Sequence, residues 1–149
     1  MSAIQNKELV RSFAEEVLNK GDVDAIDRFV SRDFVAHFPG FQGQEVPYDV
    51  AGFKQSMEQS RAAMRDFYIG IDSLIAEGDT VAARTTFSGV HTGNLMGVPP
   101  SNKRLSWQVM HFFRIANGRI AESWHSPDQL GMLQQVGVVP DVLGVPAGR

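Results

Sequence analysis

The chain has 149 residues, 43% of them hydrophobic, which is enough for one domain with a buried core and too little for two ordinary ones. Its 14 basic and 17 acidic residues give a net charge of -3 with no cationic stripe, so nucleic acid is not an expected partner. The absence of cysteine excludes a disulfide framework, a thiolate zinc site and a cysteine nucleophile together. The charged N-terminus lacks a signal-peptide core, and no apolar run is long enough to cross a bilayer. The expectation is a soluble cytoplasmic protein without membrane partners.

In chain order, Ile4, Leu9, Val10, Phe13, Val17 and Leu18 recur near the helical period and predict a long amphipathic first helix. Gly21 follows as a C-cap, and Asp22 opens a short second helix over VDAIDRFV. Phe34 to Phe38 predict a short strand that stops at Pro39-Gly40. The segment FQGQEVPYDV, with glycine and proline at loop spacing, reads as a mobile connection suited to a lid. A third helix spans Gly52 to Met64.

From Phe67 the pattern changes to strands: DFYIGIDSLIAE, TVAARTTFSGVH, KRLSWQVMHFFRI and RIAESWH, with Gly78-Asp79 and Asn117-Gly118 as hairpin turns. Short connections make consecutive strands antiparallel. Asp128 to Gln135 predicts a last short helix, and residues from about 138 to 149 an extended C-terminal arm. The layout is α+β, with helices on one face of a curved antiparallel sheet that wraps them into a cone.

Two long stretches, GVHTGNLMGVPPSNKRL and HFFRIANGRIAESWHSPDQLGMLQQVG, resemble the C-terminal signature of the SnoaL-like polyketide cyclase family in the nuclear transport factor 2-like superfamily. NKELVRSFAEEVLNKGDVDAIDRFVSRDFVAH resembles that family's opening helices and first strand, and GFKQSMEQSRAAMRDFYIGIDSLIAEGDTVAARTTFSGVHTG its middle, so the likeness covers nearly the whole chain and implies a single domain of this type over 1–149. The resemblance implies a cone-shaped fold. It also implies ring closure of a polyketide ester by intramolecular aldol condensation, without metal or organic cofactor. The family's proton-transfer acid, an aspartate after tryptophan at the end of the last strand, corresponds here to His125 after Trp124. His111 and His37 match two further pocket positions, and the likeness includes His91.

Whether His111 and His125 share a face depends on the turn between them. A two-residue Asn117-Gly118 loop pairs His111 with Trp124 and sends His125 to the opposite face. A three-residue loop of Ala116, Asn117 and Gly118 pairs His111 with Ser123 and Val109 with His125. The two imidazoles are then diagonal neighbours. The resemblance favours the three-residue loop.

Histidine titrates near neutrality, which suits His125 to removing a proton alpha to a carbonyl. Asp128 is placed to orient that imidazole or to act as a displaced acid, and Ser123 to bond a substrate oxygen. Trp107, Val109 and Phe113 are expected to wall the cavity, with His37 and His91 as further substrate contacts. His91 also suits the plainer task of bonding its own turn. Three converging histidines suit zinc, but tight ligand spacing and an acidic supporting residue are both missing, so no metal is expected. The expected substrate is a small hydrophobic carbonyl compound. A non-catalytic binder of such a ligand and a dimeric interaction module are the alternatives. The apolar outer face bearing Met110, Phe112 and Trp124 predicts a homodimer under any of the three.

Overall fold

The computed structural model describes residues 1–40 and 43–140. Helix α1, Ala3–Phe13, starts with a reciprocal cap in which Gln5 N–H donates to Ser2 Oγ and Ser2 N–H to Gln5 Oε1. The same helical path widens into a π-helical segment over Ala14–Asn19, keeping Val10, Phe13, Val17 and Leu18 buried. Gly21, at φ 75°, ends it. A Cβ there would lie 2.6 Å from the Arg61 guanidinium, which donates to the carbonyls of Leu18 and Asn19. The second helix is a 3₁₀ segment over Val23–Arg28.

A six-stranded sheet follows: β1 Val30–Pro39, β2 Glu45–Tyr48, β3 Met64–Glu77, β4 Thr80–His91, β5 Arg104–Ala116 and β6 Arg119–Pro127, in the order β2-β1-β6-β5-β4-β3. Helix α2, Val50–Ala63, capped by the Asp49 carboxylate, joins β2 to β3, and α3, Gln129–Gln135, follows β6. All strand neighbours are antiparallel except β1 and β6, which run parallel, so the sheet is mixed. The segment read as a mobile lid contains a strand. β2 pairs with the end of β1, and Pro47 is tolerated because β2 is an edge strand. Of the expected C-terminal arm, residues 141–149 lie outside the described residues.

Strand alternation divides the sheet. On the concave side Phe34, Ala36, Val81, Ala83, Leu105, Val109 and Phe113 pack against Phe13, Phe53 and Met57 from the helices. Phe13 meets Phe53 and Phe113 with ring centroids 6.0 and 6.4 Å apart, and Phe34 meets Phe53 edge-on at 5.7 Å. Each such burial is worth about 1.5–3 kcal/mol, which holds the helices inside the curve of the sheet.

The turn that decides the site is a two-residue loop. Asn117 and Gly118 both take positive φ, 52° and 74°, and Ala116 pairs with Arg119 and Ile115 with Ile120. The three-residue loop is therefore incorrect, as are its pairings of His111 with Ser123 and Val109 with His125. A β-bulge at Ala121 then shifts the register, so that Arg114 faces Glu122, Phe113 faces Ser123, and His111 lies directly opposite His125. Ile120 and Ala121 are both buried, the signature of the extra residue. Without it Trp124 would face the helices; with it Trp124 points outward and His125 inward.

Candidate active site

The helices and sheet enclose a cavity of about 1000 Å³. Phe13 and Leu18 line it from the helical side, Phe53, Ser56, Gln59 and Ser60 from α2, and Phe87, Trp107, Val109 and Phe113 from the sheet. Gln44, Val46 and Tyr48 contribute from β2 and its approach, and Asn94, Leu95 and Met96 from the loop after β4. No Asp, Glu, Lys or Arg is among the described lining residues, whereas His111 and His125 are.

The two histidines form one hydrogen-bonded unit. Their Nδ1 atoms lie 2.7 Å apart, with the rings nearly perpendicular. His125 Nε2 is 2.7 Å from the hydroxyl of Ser123, and His111 Nε2 is 2.8 Å from the hydroxyl of Thr85, which also reaches the Val109 carbonyl at 3.1 Å. Phe38 stacks on His125 at a centroid distance of 4.4 Å, and Phe113 stacks on His111 at 5.6 Å. These apolar rings and neutral hydroxyls contain no carboxylate to stabilise a cation. Burial pushes His111 down to about 4. The same cause, with the neighbouring charges of His111 and His37 adding to it, holds His125 well below 6.5. Both are neutral bases at pH 7.

Of the other expected site residues, Trp107, Val109 and Phe113 line the cavity, whereas Ser123 is fully buried, does not line it, and bonds His125 Nε2 where a substrate oxygen was expected. His37, His91 and Asp128 do not line it. His37 is one residue out of phase with the inward-facing Ala36 and Phe38. It lies on the outer face stacked on Trp124, bonded through Nδ1 to Glu45 and through Nε2 to Glu122 at 2.7 Å. Three imidazoles therefore do not converge. Among the described residues there is no group of three or more His, Cys, Asp or Glu side chains arranged to hold a metal ion.

His91 is fully buried, and its Nδ1 accepts the Ser101 N–H, which pins the loop between β4 and β5. The Asp128 carboxylate accepts the Gly131 N–H as the cap of α3 and does not orient His125. Thr85 and Phe38, which hold the pair from two sides, escaped the sequence reading. Thr85 sits in an ordinary β-rich run, and Phe38 reads only as part of the first strand.

A model of the SnoaL-like polyketide cyclase family matches residues 8–136. Aklanonic acid methyl ester cyclase DauD of Streptomyces sp. strain C5 is 28% identical over 135 residues, covering 87% of this chain and 80% of that protein. Nogalonic acid methyl ester cyclase of Streptomyces nogalater is 29% identical over 120 residues, covering 80% and 88%. Among solved structures, AclR of Streptomyces galilaeus, a candidate hydroxylase, superposes with a TM-score of 0.82 at 30% identity, covering 95% of this chain and 90% of that one. IdmH of Streptomyces antibioticus, a candidate polyketide cyclase, gives 0.79 at 29% identity, covering 90% and 99%. The match extends from the middle of α1 through α3, across every strand and both histidines of the pair, and the chain belongs to the SnoaL-like polyketide cyclase family.

Proposed function

We propose that this protein closes a ring in an uncharged, hydrophobic polyketide ester by an intramolecular aldol-type cyclisation without loss of water, with His125 as the proton-transfer base and His111 as its partner. The observation that carries the reading is a neutral imidazole pair in the lining of a large cavity with no Asp, Glu, Lys or Arg among its described residues. A base in such a place removes a proton alpha to a carbonyl, leaving an enolate whose carbon attacks a second carbonyl of the same molecule. The new alkoxide takes the proton back, so the reaction conserves mass and needs no oxidant. His125 here takes the part that an aspartate plays in the resembling enzymes. Trp107, Val109 and Phe113 hold the flat apolar body of the substrate, and a lining without a cation among the described residues favours an ester over a free acid.

Each ring nitrogen of the pair already has a partner, so catalysis exchanges one of these bonds for a bond to substrate. The same satisfied contacts support the alternative of a non-catalytic holder of a hydrophobic ligand. Incubating the protein with an open polyketide methyl ester and following products by chromatography and mass separates the two. A cyclised product of unchanged mass is expected. Binding without turnover would leave only the ligand-holding reading, and a gain of one oxygen would point to hydroxylation instead.

No helix among the described residues is long and apolar enough to cross a membrane. Met110, Phe112 and Trp124 are 48%, 56% and 37% exposed on the outer face of the adjoining strands β5 and β6 and fit a second copy of this chain. Sedimentation velocity returning a single chain at micromolar concentration would remove that part of the proposal.

A further inference from the structure

The contacts around the histidine pair form one unbranched line: Ser123 Oγ, His125, His111, Thr85 Oγ1 and the Val109 carbonyl. A carbonyl oxygen only accepts, so the Thr85 hydroxyl must donate to Val109 for that contact to be a bond. Its oxygen then accepts from His111, which requires the proton of neutral His111 to be on Nε2. His111 Nδ1 is left as an acceptor, so the proton of His125 is on Nδ1, and His125 Nε2 accepts from Ser123. Run in this direction, every donor and acceptor is used. Run in reverse, the Thr85 hydroxyl gives up its bond to the Val109 carbonyl, and the hydroxyl hydrogen of fully buried Ser123 has no acceptor among the described residues. Both ends therefore select the same direction.

We propose that Thr85 and Ser123 are positioning residues that fix His125 as the Nδ1–H tautomer and His111 as the Nε2–H tautomer, which makes Nε2 of His125 the basic atom of the pair. The catalytic half of this statement rests on the cyclase reading; the tautomers do not. In the reaction the Ser123 hydroxyl turns away and His125 Nε2 takes the substrate proton, while the electron pair of the broken C–H bond stays on the substrate as the enolate. The Nδ1 proton of His125 then moves to Nδ1 of His111. The positive charge passes to a ring whose Nε2–H is already bonded to Thr85. When the alkoxide forms, the protons run back along the same line and Nε2 of His125 returns the proton to substrate.

The test is a long-range ¹H–¹⁵N correlation spectrum of the histidine-labelled wild type at pH 7, with Thr85→Val and Thr85→Ser beside it. Expected are His125 protonated on Nδ1 and His111 on Nε2 in the wild type and Thr85→Ser, with loss of that single pattern in Thr85→Val. In the same variant kcat for ring closure should fall about tenfold, a part of what proton transfer supplies, with KM within about twofold. Thr85→Ser should restore the rate. His125 protonated on Nε2 in the wild type, or an unchanged spectrum in Thr85→Val, would overturn the proposal. The spectrum needs no substrate, so a protein with the expected tautomers that turned over no ester would refute the cyclase reading and leave the tautomers standing.

Discussion

The two faces of the β5–β6 hairpin treat histidine in opposite ways. On the cavity face His111 and His125 meet each other, two hydroxyls and phenylalanine rings, and burial keeps both neutral. On the outer face His37 lies between Glu45 and Glu122. Burial alone would lower its pKa, but the hydrogen bonds to Glu122 and then Glu45 outweigh it and raise the pKa above 6.5. In return His37, helped by Arg114, holds the Glu122 carboxyl below its ordinary 4.5 against the opposing effect of burial. One environment lowers the imidazole pKa and leaves a neutral base, the other raises it and favours the protonated ring between two carboxylates, and a single residue of strand phase sets which face His37 takes.

The largest expected contrast is in folding. Phe113 on the cavity face touches Phe13 and both histidines, so Phe113→Ala should cost about 3–5 kcal/mol in denaturant unfolding. Phe112, its neighbour on the outer face and 56% exposed, should change the stability of the single chain by about 0.5 kcal/mol or less when replaced by alanine. Equal costs would mean that the faces are not distinguished as described.

A second contrast is in pH dependence. Below 6.5 the unfolded chain protonates His111 while the folded chain does not until about 4, so this residue makes stability fall as pH drops through that window, by about 3 kcal/mol in full. His111→Gln should flatten the acid slope measured by urea unfolding between pH 7 and 4.5. An unchanged slope would place the acid sensitivity elsewhere.

The outer cluster has the opposite sign on its histidine side. His37 stabilises below its ordinary 6.5, and the contribution is lost as pH rises through its raised folded value. Glu122 stabilises above its ordinary 4.5, and that contribution is lost as pH falls through its depressed one. The link between them is fully present between those two ordinary values, and for a partly exposed network it is worth about 1 kcal/mol or less. His37→Ala should remove that small gain near pH 5.5 and leave stability at pH 9 nearly unchanged.

Much of this arrangement was legible in the sequence. The bounds of β4 follow directly from TVAARTTFSGVH, and the alternation in SWQVMHFF places Trp107, Val109, His111 and Phe113 on one face. That His111 and His125 share the cavity was also legible, but for an incorrect reason. Asn117-Gly118 is the ordinary two-residue turn its composition suggests, and the phase change occurs at Ala121, where a small residue beside Ile120 gives no pattern that distinguishes a bulge from a regular strand. The strand Glu45–Tyr48 was hidden because Pro47 and the neighbouring glycines carry turn chemistry, while its pairing comes from distant β1. His37 was misplaced because the phase of β1 depends on its parallel partner β6, which lies more than 80 residues away in sequence.

The central claim is that the chemistry belongs to the cavity-face pair and not to the outer histidine. Its most direct test is kcat/KM for ring closure of a polyketide methyl ester by His125→Ala and His37→Ala, each shown to be folded by circular dichroism. The account predicts that His125→Ala loses about 10²–10⁴-fold while His37→Ala stays within a few-fold of the wild type. A folded His125→Ala that closes the ring at the wild-type rate, or a larger loss in His37→Ala, would contradict it.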